Sequence, residues 1–348
     1  MNVLITGNMG YIGPTVVQRL KSNDPDTRVQ GVDSAFFAHC LTGADALPER
    51  RLDRQFFADV RDIDTAMLEG VDAIVHLAAI SNDPMGKAFE RVTADVNHAA
   101  SVRLARLARE AGVSRFVFAS SCSVYGYAEG AARDERSALN PLTAYAKSKI
   151  NTENDIRELA DTDFVITSLR FPTACGMSER LRLDLVLNDF VAAAVAERKI
   201  TILSDGTPWR PLIDIQDMAR AIDWAIGRDP DHGGAFLAVN VGRTEWNYQI
   251  KDLARAVQDE IPGVEVQINP DAQPDKRSYQ VDFGLYKELA PDHLPQVDLH
   301  QSIRELRDGL QAMGFNNTDF RNSDYMRLKV LSGLREKGLL SPDLRWTS

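Results

Sequence analysis

The sequence predicts a doubly wound α/β fold on a parallel sheet, joined to a smaller, discontinuous α/β lobe. Three observations carry this expectation. Short apolar runs alternate with longer amphipathic stretches over residues 1–170, a glycine triplet links the first run to a helical pattern, and an aspartate follows the second run.

Residues 3–6, 29–32, 73–77, 116–119 and 164–169 read as strands buried on both faces. Helical patterns fill 14–21, 97–111 and 143–160. Past Arg170 the rhythm changes. Residues 184–197 and 247–259 read as amphipathic helices between stretches rich in Gly, Pro and Asp, while 215–226 and 236–240 read as a helix and a strand returning to the sheet. The expected division is a first domain over 1–170, with 211–241 returning to it, and a second lobe from 171–210 and 242–348. The tail at 319–340 is expected to be helical and peripheral.

A chain of 348 residues can bury a full core and divide into two lobes. Its formal net charge of -10 argues against a nucleic-acid binder, which needs a basic face, but not against a small phosphorylated ligand held by a few arginines. Cys40, Cys122 and Cys175 lie far apart, and the six histidines show no ligand spacing. Neither a disulfide framework nor a metal site is expected, and a reducing cytoplasm is. No apolar run approaches about 18 residues, so no membrane span is expected. The first residues run straight into a glycine turn, unlike a signal peptide.

The first strand ends in Thr6-Gly7-Asn8-Met9-Gly10-Tyr11-Ile12-Gly13, and a helix begins at once with Pro14. Glycines at Gly7, Gly10 and Gly13 would let the chain turn tightly, let backbone approach a pyrophosphate and let the helix pack on the sheet. The helix N-terminus would then face the phosphates. Asp33, twenty residues beyond Gly13, suits the adenosine ribose hydroxyls and would repel a 2′-phosphate, which points to NAD over NADP.

Tyr145 and Lys149, four residues apart, share one face of a helix. A nearby ammonium favours the phenolate, so Lys149 is expected to lower the tyrosine's ordinary value of about 10. The strand 116–119 ends in a serine-rich segment, Ser120-Ser121-Cys122-Ser123-Val124-Tyr125-Gly126, at the sheet edge where ligands bind. A hydroxyl there could pass a substrate proton to the tyrosine.

At this point the sequence resembles the NDP-sugar epimerase/dehydratase branch of the extended short-chain dehydrogenases. The likeness runs from Met1 to about residue 282 through 6–13, Asp59-Val60, His76-Leu77-Ala78-Ala79, Asn97, 120–126, Tyr145-x-x-x-Lys149 and Trp209-Arg210-Pro211-Leu212-Ile213. It implies a Rossmann domain holding NAD, with Ser121, Tyr145 and Lys149 catalytic. Asp59 and Val60 would border the adenine, and Leu77, Ala78 and Ala79 would line the phosphate–ribose path. Tyr11, Ile12, Asn97, Ser120 and Phe171 would complete the cofactor surroundings. A homodimer formed through 97–111 and 143–160 is implied as well.

The same resemblance implies that Arg210 and Arg277 meet the phosphates of a nucleotide-diphosphate sugar, as the planar guanidinium fork allows. Asn188 would contact the nucleotide, and Ser81, Ser123 and Thr173 the sugar. Thr173 stands where many relatives carry asparagine, and Asp214 where histidine or tyrosine is common. Family dehydratases and decarboxylases place carboxylates just before Val-Tyr-Gly or its equivalent; here those residues are Cys122 and Ser123. The remaining expectation is epimerisation at carbon 4 of a UDP-hexose or UDP-hexuronate through a transient ketone. A ketoreductase, an atypical dehydratase using Cys122 and a non-catalytic NAD-sensing regulator are the alternatives.

Overall fold

The computed structural model describes residues 1–347 except 129, 270, 271 and 273–277. In chain order the strands are β1 (Asn2–Thr6), β2 (Arg28–Asp33), β3 (Arg54–Phe57), β4 (Ala73–His76), β5 (Arg115–Ser121), β6 (Val165–Phe171), β7 (Thr173–Cys175), β8 (Lys199–Ile202), β9 (Trp209–Asp214), β10 (Phe236–Asn240), β11 (Asn247–Gln249) and β12 (Glu265–Ile268). The helices are α1 (Gly13–Asn23), α2 (Asp83–Ala88), α3 (Glu90–Ala94), α4 (Ala100–Glu110), α5 (Ala144–Arg157), α6 (Val186–Glu197), α7 (Ile215–Gly227), α8 (Ile250–Glu260), α9 (Gly284–Leu289), α10 (Leu299–Ala312) and α11 (Arg327–Glu336).

Seven strands form one parallel sheet in the order β10-β6-β5-β4-β1-β2-β3. Each of the five apolar runs read from the first half lies in it. Apolar side chains of α1 and α7 cover one face together with Val3 and Ile5, and those of α4 and α5 cover the other with Leu4 and Ile74. Strand order reverses between β1 and β4, which opens a crevice at their carboxyl ends. The site lies there.

Some elements differ from the sequence reading. β5 and β6 run past their apolar cores, β6 through Arg170, because Glu153 on α5 neutralises that guanidinium at 2.6 Å. β3 has only half-buried or exposed side chains and lacks a strong apolar signal. The helix read over 97–111 starts earlier as α3 and passes through a π-helical turn, Asp95–Ala99, before α4. Residues 247–249 are β11, paired antiparallel with β9, rather than the first turn of α8. β9 itself lies in a three-stranded sheet with β7 and β11, while β8 and β12 form a separate pair.

The tail is not peripheral. Leu331, Leu340 and Leu344 are at most 4% exposed and pack in the cluster that holds Leu4 and Ile74. α10, absent from the sequence reading, packs on α6 and α8.

Candidate active site

β1 delivers the chain to Gly7, whose N–H donates to the Val32 carbonyl at 2.8 Å. Gly7 has φ +75°, and a Cβ there would lie 2.6 Å from the Ala78 nitrogen. A Cβ on Gly13 would lie 2.0 Å from the Asn8 carbonyl oxygen, so this glycine lets α1 start tight against its own turn and does not line the cleft. No side chain caps α1, which leaves its first N–H groups for an anion beside Gly10, Tyr11 and Ile12 on the cleft wall.

Asp33 closes β2 with its carboxylate accepting from the N–H groups of Met9 at 3.0 Å and Ala35 at 2.7 Å. Burial raises its pKa against those bonds. Asp59 is gripped by Arg61 at 2.6 Å; burial pushes its carboxyl up, and the Arg61 hydrogen bonds more than reverse this. Asp59, Val60, Leu77, Ala78, Ala79, Ser120 and Phe171 all line the same cleft. Ser120 turns its hydroxyl inward to Glu153 at 2.6 Å. Asn97 lies behind the wall, where its amide holds both backbone groups of Ile80 and meets Ser148 on α5. These features fit NAD: glycines that admit no Cβ without collision, an uncapped helix end and a carboxylate at the end of β2.

α5 carries Tyr145 and Lys149 to the carboxyl end of β5. Thr143 caps this helix by accepting from Ala146 N–H, and its own hydroxyl donates to Asp83 at 2.7 Å. Ser121 lines the cleft together with Tyr145 and Lys149. Burial pushes the Tyr145 phenol up to about 12, with Asp83 adding to the rise and Ser121 and Arg182 opposing it. This overturns the expectation that Lys149 lowers it. The Lys149 ammonium donates to the Ala119 carbonyl at 2.6 Å and sits 5.5 Å from the centre of the Tyr145 ring. Burial also draws Lys149 itself down to about 7, against the pull of Glu153.

Ser81, Ser123, Thr173 and Arg210 also line the cleft. The Ser123 hydroxyl is buried without a hydrogen-bond partner among the described residues. Asn188 is fully buried and off the cleft wall. Its amide accepts from Gly176 N–H and donates to the Tyr11 hydroxyl and the Arg182 carbonyl. It therefore positions Tyr11 rather than facing the cleft. Arg277 lies outside the described residues. The Cys122 thiol points away from the cleft, donating to the Arg170 carbonyl at 3.1 Å. Asp214 is also inward, at the start of α7, where it accepts from Ser302 at 2.5 Å.

Two residues escaped the sequence reading. Arg182 lines the cleft with its guanidinium held by Asp184 at 2.5 Å and by the Ser81 hydroxyl at 2.9 Å. Asp83 lines it near Tyr145. Both sit in sequence that carries neither a strand nor a helix periodicity. The cleft as a whole measures about 1120 Å³.

Comparison with known proteins finds the same fold and a family. A protein described as an uncharacterized UDP-glucose epimerase, YtcB, from Bacillus subtilis is 31% identical over 257 residues, covering 70% of this chain and 78% of its own. A UDP-glucose 4-epimerase from Mycolicibacterium smegmatis is 28% identical, covering 87% of this chain and 96% of its own. The solved UDP-glucose-4-epimerase from Stenotrophomonas maltophila, with bound NAD and formylated UDP-arabinopyranose, superposes with a TM-score of 0.76 at 25% identity, over 90% of this chain and 99% of that one. Residues 3–242 match the family model directly, and the chain belongs to the NAD dependent epimerase/dehydratase family.

Proposed function

We propose that this chain epimerises carbon 4 of a nucleotide-diphosphate sugar, a UDP-hexose or UDP-hexuronate, through a transient 4-keto sugar. The observation that carries this reading is the meeting of Ser121, Tyr145 and Lys149 on one cleft wall, with no carboxylate at the adjoining Cys122 and Ser123. Once ionised to its phenolate, Tyr145 takes the proton of the 4-hydroxyl, and Ser121 holds that oxygen as the proton moves. Lys149 fixes the end of β5 through Ala119. NAD, when bound, supplies the ring that accepts and returns the hydride. The flat ketone turns in the pocket, so that the hydride returns to the opposite face of carbon 4 while Tyr145 gives the proton back to the same oxygen.

Arg210 and Arg182 supply cationic forks for phosphate or hydroxyl oxygens, and Ser81, Ser123 and Thr173 contact the sugar. Asn188 acts through Tyr11. A homodimer formed through α4 and α5 accompanies this reading, as does a reducing cytoplasm for three free, buried cysteines. An elimination using Cys122 is disfavoured, since burial raises its thiol well above the ordinary range and its Sγ–H is engaged inward.

The test is incubation of the pure protein with a panel of UDP-hexoses and UDP-hexuronates without added reductant. The 4-epimer should accumulate from at least one. A panel without interconversion overturns the reading, and in a parallel incubation with added reduced cofactor its net consumption identifies a reductase instead.

A further inference from the structure

The C-terminal segment lies beyond the residues that match the family, and it runs across the cofactor end of the cleft. Leu344 is fully buried and lines the cleft with Val32, Ser34, Phe36, Val60 and Arg61. The same Arg61 that clamps Asp59 also donates to the Asp343 carbonyl at 2.9 Å and the Leu344 carbonyl at 3.1 Å. Arg345 pairs with Asp62 at 2.5 Å. The Trp346 indole N–H donates to the Ser34 carbonyl at 2.6 Å, and its ring lies 5.6 Å from that of Phe36. Ser34 and Phe36 directly follow Asp33, the carboxylate at the end of β2.

Leu344 has φ +50°, a left-handed conformation that a branched side chain avoids. It persists because apolar burial and the Arg61 bonds hold it there. The strap is also closed on itself: Leu340 bridges Trp346, and Ser341 N–H donates to the Arg345 carbonyl at 2.8 Å. A strained, self-closed loop, tied at four separate residues to the turn after β2 and the turn after β3, is a built wall and not a trailing end.

We propose that residues 340–347 are part of the cofactor site: they close its adenosine end and hold NAD between turnovers. The ligand chemistry is that of an adenosine, with Leu344 as an apolar wall and the Arg61–Asp59 pair as a polar rim. The inference rests on the epimerase reading in one respect. A cycle that returns hydride to the same sugar needs a retained dinucleotide, whereas an oxidoreductase that exchanges cofactor at every turnover needs this end open.

The experiment compares the full chain, a chain ending at Leu339 and the double variant Arg345→Ala/Trp346→Ala. NAD content is read by mass spectrometry after desalting, and NAD dissociation by exchange against isotopically labelled NAD. Loosening one apolar wall should speed dissociation by about tenfold or more. Should the truncated chain fail to fold, the double variant decides, because Arg345 and Trp346 are partly exposed and tie the strap without filling the core. Equal dissociation rates in a folded variant overturn the proposal. No sugar is needed for this readout, so a chain that holds NAD through its strap but converts no sugar would refute the epimerase reading alone.

Discussion

Lys149 stands one helical turn beyond Tyr145, yet its ammonium is directed to the Ala119 carbonyl at 2.6 Å rather than to the phenol. The lysine thus anchors the strand that carries Ser121, and Ser121 opposes the rise of the Tyr145 phenol. Burial keeps the phenol protonated, at about 12. A positive charge brought beside it would lower that value, because an opposite charge favours the phenolate.

The first prediction concerns that titration. Ultraviolet phenolate absorbance, taken as the difference between the wild type and Tyr145→Phe, should show Tyr145 ionising near 12 in the ligand-free chain. Adding NAD, whose oxidised nicotinamide is cationic, should move the midpoint downward. An upward shift or none would remove the electrostatic coupling between cofactor and base.

Tyr145→Phe should keep the fold and bind NAD at close to wild-type affinity while turnover drops by about 10²–10⁴-fold, the range lost with a general acid–base group. Equilibrium dialysis with NAD separates the two effects. Retained turnover would show that another group moves the proton.

Asp214 gives a stability prediction with a definite sign. Burial raises its carboxyl from 3.8 to about 7, against hydrogen bonds from Ser302 and the Gln216 N–H. Between those values the folded chain binds more protons than the unfolded one, so this group erodes stability as pH rises and does so fully above 7. Asp214→Asn keeps the helix cap and removes the charge. It should lessen the loss of stability between pH 5 and pH 8 by about 2–4 kcal/mol, read from denaturant midpoints. Parallel pH profiles for variant and wild type would refute this assignment.

Glu153 and Arg170 form a pair whose side chains are only 3% and 5% exposed, with Ser120 and Ser168 also donating to the carboxylate. Glu153→Gln leaves a buried guanidinium without its counter-charge and should destabilise the chain by about 3–5 kcal/mol. Urea unfolding measures it, and a change within error would mean that water or Tyr125 substitutes for the carboxylate.

Much of this architecture was legible because buried parallel strands must be apolar on both faces. The runs at 3–6, 73–77 and 116–119 satisfy that requirement with few competitors. The cofactor turn was legible for a similar reason, since Gly7 and Gly13 have no room for a side chain. What escaped depends on contacts between distant segments. β6 continues through Arg170 only because α5 presents Glu153, and Arg182 reaches the cleft only because Ser81 and Asp184 hold it. The placement of Asn188 behind the wall follows from its bonds to Tyr11 and Gly176, which no local pattern reveals. The tail carried the weakest signal of all. Its burial depends on Arg61 and Ser34, 283 and 312 residues away in sequence.

The measurement that bears most directly on the proposed cycle uses a UDP-sugar carrying deuterium at carbon 4, incubated with the pure protein without external reductant. The account predicts that the 4-epimer forms with the deuterium still at carbon 4, because the hydride leaves and returns within one active site. Epimer that has lost the label to solvent, or label transferred stoichiometrically to free reduced cofactor, would contradict it.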